Sequence, residues 1–261
     1  DAKRVCEELG IKHVVLDLRD KFKSIVIKNF IDSYKSGVTS NNITITRNYF
    51  EDTNTCVQLN DVSELLISSN KATKINNFFF AQNVNNHMNH IKIIDNMASG
   101  NFRGTNRGDY RFVFINHQGF KNNLVTAFVN ISNNKISDFD GHGIGLTAFD
   151  VKITGNDFSN IYKNGIYHFG GTSAVIANNT FAECAQEPGD RYSVFVGNNP
   201  VTTSSRVSVI GNTVRNNKGF AFSNNIDRCL FTGNIKELTK EEIENGFKGV
   251  PSFNLKLDDN I

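Results

Sequence analysis

The sequence predicts an all-β protein built as a parallel solenoid, and three observations carry that prediction. A short pattern, apolar-x-x-Asn-x-apolar, recurs along most of the 261 residues. A second apolar run follows each of these asparagines at a regular distance. Asn makes up roughly one residue in seven, whereas Pro is scarce at 3 and Trp is absent.

The pattern appears as "VIKNFI" at 26–31, "ITRNYF" at 45–50, "ISSNKA" at 67–72 and "IIDNMA" at 93–98. It continues as "ISNNKI" at 131–136, "ITGNDF" at 153–158, "ANNTF" ending at Phe181, "VIGNTV" at 209–214 and "FTGNI" at 231–235. The aligned residues are Asn29, Asn48, Asn70, Asn96, Asn134, Asn156, Asn179, Asn212 and Asn234, so successive gaps are 19, 22, 26, 38, 22, 23, 33 and 22. A base period near 22 with longer gaps is a repeat carrying loop insertions. The second runs are "TCVQL", "NFFFA", "RFVFI", "GIGLTA", "GIYHF", "YSVFV" and "GFAFS". Such a unit is too short for a strand plus crossover helix. It alternates rather than following a helical period, which also excludes helical repeats. Coils that stack, each covering the next, remain. Excess Asn fits tight corners and amide ladders at strand spacing. Disorder is excluded because apolar residues are abundant and regularly placed.

The termini are read as caps. "DAKRVCEELG" places Ala2, Val5, Cys6 and Leu9 on one helical face and stops at Gly10, ahead of the strand-like "HVVLDL". "LTKEEIENGFKG" reads as a second helix, followed by an alternating exit segment. The expected organisation is a short N-terminal capping helix and first strand over 1–25, a parallel β-helix of about nine to ten coils over 26–236, and a C-terminal helix and exit over 237–261. The absence of an initial Met and of a signal-peptide core leads us to expect a processed chain or a fragment.

Net charge of +2 gives no global electrostatic case for nucleic acid or an anionic membrane. No apolar run approaches the roughly 18–20 residues of a transmembrane helix. Cys6, Cys56, Cys184 and Cys229 form no CxxC pair; Cys56 and Cys229 sit in strand-like runs as buried free thiols.

The run "VNISNNKISDFDGHGIGL…DVKITGNDFSNIYKNGIYHF…AVIANNTF" resembles the right-handed parallel β-helix repeats of the pectin lyase-like superfamily, over roughly residues 26–236. That superfamily includes lyases, hydrolases, epimerases and phage tailspikes. The resemblance implies a carbohydrate-active protein that binds and cleaves an extended, acidic surface polysaccharide, as a tailspike depolymerase does. It also implies a homotrimer at a virion tail or outside a cell. The alternatives are a non-catalytic receptor-binding or structural β-helix, and a secreted polysaccharide lyase, hydrolase or epimerase. No cofactor and no metal are expected; His87 and His90 in "NNHMNH" lack a third ligand at suitable spacing.

Setting the post-corner strands in register aligns Val113, Ile144, Ile166 and Val194. Four residues earlier come Asp109, Asp140, Tyr162 and Asp190, and two earlier Arg111, His142, Asn164 and Tyr192. Coils stack about 4.8 Å apart, so carboxylates one or two coils apart would bracket glycosidase separations. Asp140, Asp109 and Asp190 are therefore the candidate acids, and His142 the candidate base. Arg111, Arg107 and Arg191 could hold a sugar carboxylate. Tyr162 and Tyr192, with Tyr110 and Tyr167, could stack on sugar faces, and Glu187 lies in the second of two loops inserted beside this corner. Gly141-His142-Gly143 resembles the Gly-His-Gly segment of polygalacturonase-type hydrolases, whose Asn-Thr-Asp and Arg-Ile-Lys segments have no counterpart here. Asp138 and Asp140 are equally what a solenoid corner needs for its turn, and the register leaves open which way His168 faces.

Overall fold

The computed structural model describes residues 8–10, 42–59, 62–82, 88–103, 110–116, 126–188, 191–197, 204–215, 217, 221–223 and 227–237. The chain divides into two compact units, Asp1–Ser40 and Asn41–Ile261. In the first unit, Glu8 ends in a helical turn and Gly10 takes the left-handed backbone, φ 65°. The rest of the expected capping helix, the first strand and the coil expected around Asn29 lie outside the described residues. So do the C-terminal helix and exit segment beyond residue 237.

The second unit is a parallel β-helix. Its first coil comprises β1 (Ile43–Thr46), β2 (Tyr49–Glu51) and β3 (Thr55–Gln58), its second β4 (Ser63–Ser68), β5 (Lys71–Ile75) and β6 (Asn77–Gln82). The third holds β7 (Met88–Ile94), β8 (Met97–Gly100) and β9 (Val113–Asn116), the fourth β10 (Thr126–Ser132), β11 (Lys135–Phe139) and β12 (Ile144–Leu146). The fifth holds β13 (Phe149–Thr154), β14 (Asp157–Ile161) and β15 (Ile166–His168), the sixth β16 (Gly171–Ala177), β17 (Thr180–Cys184) and β18 (Val194–Val196). Then come β19 (Ser204–Ile210), β20 (Thr213–Arg215) and β21 (Ala221–Ser223), and finally β22 (Asp227–Thr232) and β23 (Ile235–Glu237). Every third strand pairs in parallel, giving two sheets of eight strands and a third of seven. Eight coils thus lie among the described residues, against the nine to ten expected.

The repeated asparagines form the corner between the first and second sheets. The backbone N–H and Nδ2 of Asn48 both donate to Asn70 Oδ1, at 2.9 and 3.0 Å. The same pair of bonds runs on through Asn96, Asn134, Asn156, Asn179, Asn212 and Asn234. Each Nδ2 from Asn70 onward also reaches a carbonyl of the coil before it, as Asn134 does to Ile93 O at 2.8 Å. A buried amide is stable only when satisfied in this way. The residue before each rung adopts the left-handed backbone, φ between 55° and 66°, which is why Asp, Asn and Gly crowd this place as Asp95, Asn133, Gly155, Asn178, Gly211 and Gly233.

Inward residues stack into one core. Ile67, Ile93, Ile131, Ile153 and Ile176 form a fully buried column along the first sheet, each worth about 2–3 kcal/mol in apolar burial. Phe78 stacks on Phe112 and Phe158 on Phe181, both at 4.8 Å and 10°. Where the backbone must come closest, side chains vanish. A Cβ on Gly143 would stand 2.5 Å from Gly165 O and 2.9 Å from the Phe158 ring. This glycine of the Gly-His-Gly segment is therefore explained by packing.

Candidate functional site

The third sheet carries the register expected from the sequence: Val113 pairs with Ile144, Ile144 with Ile166, and Ile166 with Val194. All four face the core. Two residues earlier, the column Asn77, Arg111, His142, Asn164 and Tyr192 forms a second polar ladder. Arg111 N–H donates to Asn77 Oδ1 at 3.2 Å, Asn164 N–H to His142 Nδ1 at 3.2 Å, and Tyr192 N–H to Asn164 Oδ1 at 2.9 Å. It runs in the opposite sense to the Asn ladder, since here the later coil donates to the earlier one. His142 is buried, and because its Nδ1 accepts, the geometry assigns its proton to Nε2. Its ring stacks on Tyr167 at 4.8 Å and 20°.

The next residue outward forms a different column. Phe80, Phe114, Gly145, Tyr167 and Phe195 are successive register partners on the outer face of the third sheet. Phe80 lies 5.2 Å from Phe114, and Tyr167 lies 5.0 Å from both Phe169 and Phe195. Gly145 is the gap among these rings, and the Arg111 guanidinium fills it. That group sits 4.1 Å over the Phe114 ring, and a Cβ on Gly145 would come within 2.8 Å of Arg111 Nη1. An aromatic row with a cation seated over Phe114 is the result.

The acidic residues fare differently. Asp140 is 1 % exposed, and its Oδ1 accepts the Arg103 N–H at 2.8 Å, so the carboxylate tethers the inserted loop of the preceding coil. Asp138 accepts from Ser99 Oγ at 2.9 Å and Asn160 Nδ2 at 2.8 Å. Burial pushes the Asp138 carboxyl up, but hydrogen bonds from Ser137, Asn160 and Ser99 outweigh it and hold the group below its ordinary value. Glu187 is buried and ion-paired with Arg191, and its N–H donates to Tyr162 O at 2.7 Å. Tyr162 meets Phe102 edge-on at 6.3 Å, and Tyr192 lies 6.4 Å from Phe195. Asp109, Asp190 and Arg107 lie outside the described residues. The structure thus brings together Arg111, His142 and Tyr192. It sets Asp140 and Glu187 into local contacts.

Sequence reasoning missed Phe80, Phe114 and Phe195, whose signal was available: each follows the inward Val or Phe of its run by one residue. His168 faces the core, fully buried beside Ser204, its Nδ1 at 3.3 Å from Ser204 Oγ, and burial pushes the imidazole down to about 4. Cys56 and Cys184 are free thiols that burial pushes up, Cys56 to about 12.

Comparison with known proteins yields two family matches over different parts of the chain. The family model described as a right-handed beta helix region matches residues 122–235. The chain carries a right-handed β-helix. A second family model, the tRNA methyl transferase HUP domain, matches residues 1–98. Curated relatives are tRNA-specific 2-thiouridylases: MnmA 1 of Fusobacterium nucleatum is 43% identical over 51 residues, 20% of this chain and 14% of that protein. MnmA of Treponema denticola is 51% identical over 41 residues, and that of Corynebacterium glutamicum 58% over 41, each 16% of this chain and 11% of the relative. The chain spans about one seventh or less of the length of these relatives. No solved structure matches. The HUP match reaches over β1 to β8, yet those strands belong to the β-helix by their parallel pairing and by the rungs Asn48, Asn70 and Asn96.

Proposed function

We propose that the outer face of the third sheet binds an extended, acidic polysaccharide. One observation carries this reading: the column Phe80, Phe114, Tyr167 and Phe195, interrupted at Gly145 by the Arg111 guanidinium. Rings in register across five coils line roughly 20 Å of the sheet with apolar surface, against which successive sugars could lie. A guanidinium in that surface favours a sugar bearing a carboxylate. The protein then acts as a surface glycan binder of the tailspike or adhesin kind, at a virion tail or outside a cell, in a homotrimer.

Binding is better supported than cleavage. Asp140 is buried against the Arg103 N–H, and Glu187 is paired with Arg191, so both are already engaged in local contacts. If the chain cleaves its glycan, Asp109 and Asp190 are the acids that would act, with His142 donating from Nε2. Calorimetric titration with polygalacturonate and with neutral dextran tests the reading. Arg111→Ala should weaken polygalacturonate binding about tenfold and leave dextran unchanged, and Tyr167→Ala should weaken both. Equal affinity of parent and both variants sinks it. New reducing ends or unsaturated products from the parent, lost in Asp109→Asn or Asp190→Asn, would add cleavage.

A second reading concerns the N-terminal unit, and the match to tRNA-specific 2-thiouridylases favours it. On this reading Asp1–Ser40 contributes to tRNA modification, against the expectation from net charge that nucleic acid is no partner. A gel-shift titration with unmodified tRNA decides it: retention by the full chain supports a tRNA role, and free migration removes it.

A further inference from the structure

A second ligand contact lies at the start of the first sheet. In the third and fourth coils the register pairs Asn89 with Ala127 and Ile91 with Val129, passing over His90 and Phe128. Ala127 and Val129 on either side are both buried, so alternation turns the residue between them outward. Phe128 sits there at φ 56°, with 52 % of its surface exposed. The equivalent left-handed places in other coils hold Glu64, His90, Asp150, Ser173 and Arg206, all polar. A left-handed backbone is costly for a bulky side chain, and this ring gains no core burial in return. It stacks instead on the exposed His90 ring, at 5.0 Å and 6°.

We propose that the Phe128–His90 pair is a stacking platform for a sugar ring, a second contact for the glycan bound by the third sheet. This rests on the glycan-binding reading above. The pair occupies the same two coils as Arg111, Phe114 and His142, and in this parallel stack one face of each ring covers the other, so the exposed remainder of Phe128 is the surface a pyranose ring would cover. Strain retained at an exposed aromatic without structural benefit is the mark of a residue kept for binding.

The test uses the full chain and calorimetric titration with polygalacturonate and dextran, on Phe128→Gly, Phe128→Tyr and Tyr167→Ala. Phe128→Gly should bind about three- to tenfold more weakly, while its melting temperature does not fall, because glycine takes this backbone without strain. Phe128→Tyr should restore parental affinity. Unchanged affinity in Phe128→Gly alongside a loss in Tyr167→Ala overturns the platform and leaves the third-sheet reading standing. The reverse pattern keeps the platform and removes the third-sheet reading. A drop of several degrees in melting temperature for Phe128→Gly makes the ring structural and overturns the platform. No binding of either glycan by the parent overturns both.

Discussion

Replacing Asn134 with alanine removes one rung from the middle of the corner ladder, and the structure fixes what is lost. Asn134 is fully buried. Its Oδ1 accepts from Asn96 N–H at 2.9 Å and Asn96 Nδ2 at 3.0 Å. Its Nδ2 donates to Ile93 O at 2.8 Å, Ser132 O at 3.0 Å and Asn156 Oδ1 at 2.9 Å. After truncation, Asn96 Nδ2 keeps Ile67 O and Ile94 O, and Asn156 Oδ1 keeps the Asn134 N–H. The Asn96 N–H and the Ile93 carbonyl lose these bonds within the corner. At about 1–3 kcal/mol for each, with a small void added, the expected loss is about 4 kcal/mol. The exposed first rung is the control: Asn48→Ala loses only bonds from its Nδ2 to Thr46 O and Asn70 Oδ1, worth less than about 1 kcal/mol. Urea unfolding followed by far-ultraviolet circular dichroism should show a midpoint roughly 2 M lower for Asn134→Ala and little change for Asn48→Ala. Amide exchange at Asn96 should accelerate in the first variant and not in the second. Similar midpoints for the two variants, or a still-protected Asn96 amide in Asn134→Ala, would refute the ladder as a source of stability.

Other outcomes follow from the same geometry. His168 titrates near 4 when folded and near 6.5 when unfolded; as pH falls through 6.5 the unfolded chain takes the proton first. Stability is therefore full above pH 6.5 and falls by up to about 3 kcal/mol on the way to pH 4. The difference in urea midpoint between parent and His168→Leu should shrink across that window, and a constant difference would count against it. Gly145→Val would push the Arg111 guanidinium off its seat, weakening polygalacturonate binding about tenfold while lowering stability by less than about 1 kcal/mol, since a flexible side-chain end can yield; unchanged affinity in calorimetry would separate the guanidinium from recognition. Cys184, buried and held as a thiol, should resist iodoacetamide in the native chain and react once urea unfolds it, as peptide mass mapping would show.

Much of the β-helix was legible because its rules are local and repeated. An amide rung works only at coil spacing, so Asn48 to Asn234 announce themselves, and inward Val and Ile set the third-sheet register. The first match, "VIKNFI", lies outside the described residues. The site was legible as columns but not as orientations. Asp140 turns toward Arg103, a partner 37 residues away, and no local pattern encodes that contact. Arg111 keeps its seat only because Gly145 in the next coil lacks a side chain. His168 could have been placed by alternation, since Ile166 is inward and Tyr167 outward.

The directionality of the corner ladder has an evolutionary consequence. Each coil offers its predecessor one amide oxygen and its successor one backbone N–H and one amide N–H. Duplicating or deleting a whole coil therefore leaves the number of unmet polar groups unchanged, whereas a change of half a coil strands a buried donor. Length in such a molecule can drift in steps of one coil, while each step preserves the architecture, so the extent of its faces can change without redesigning the protein.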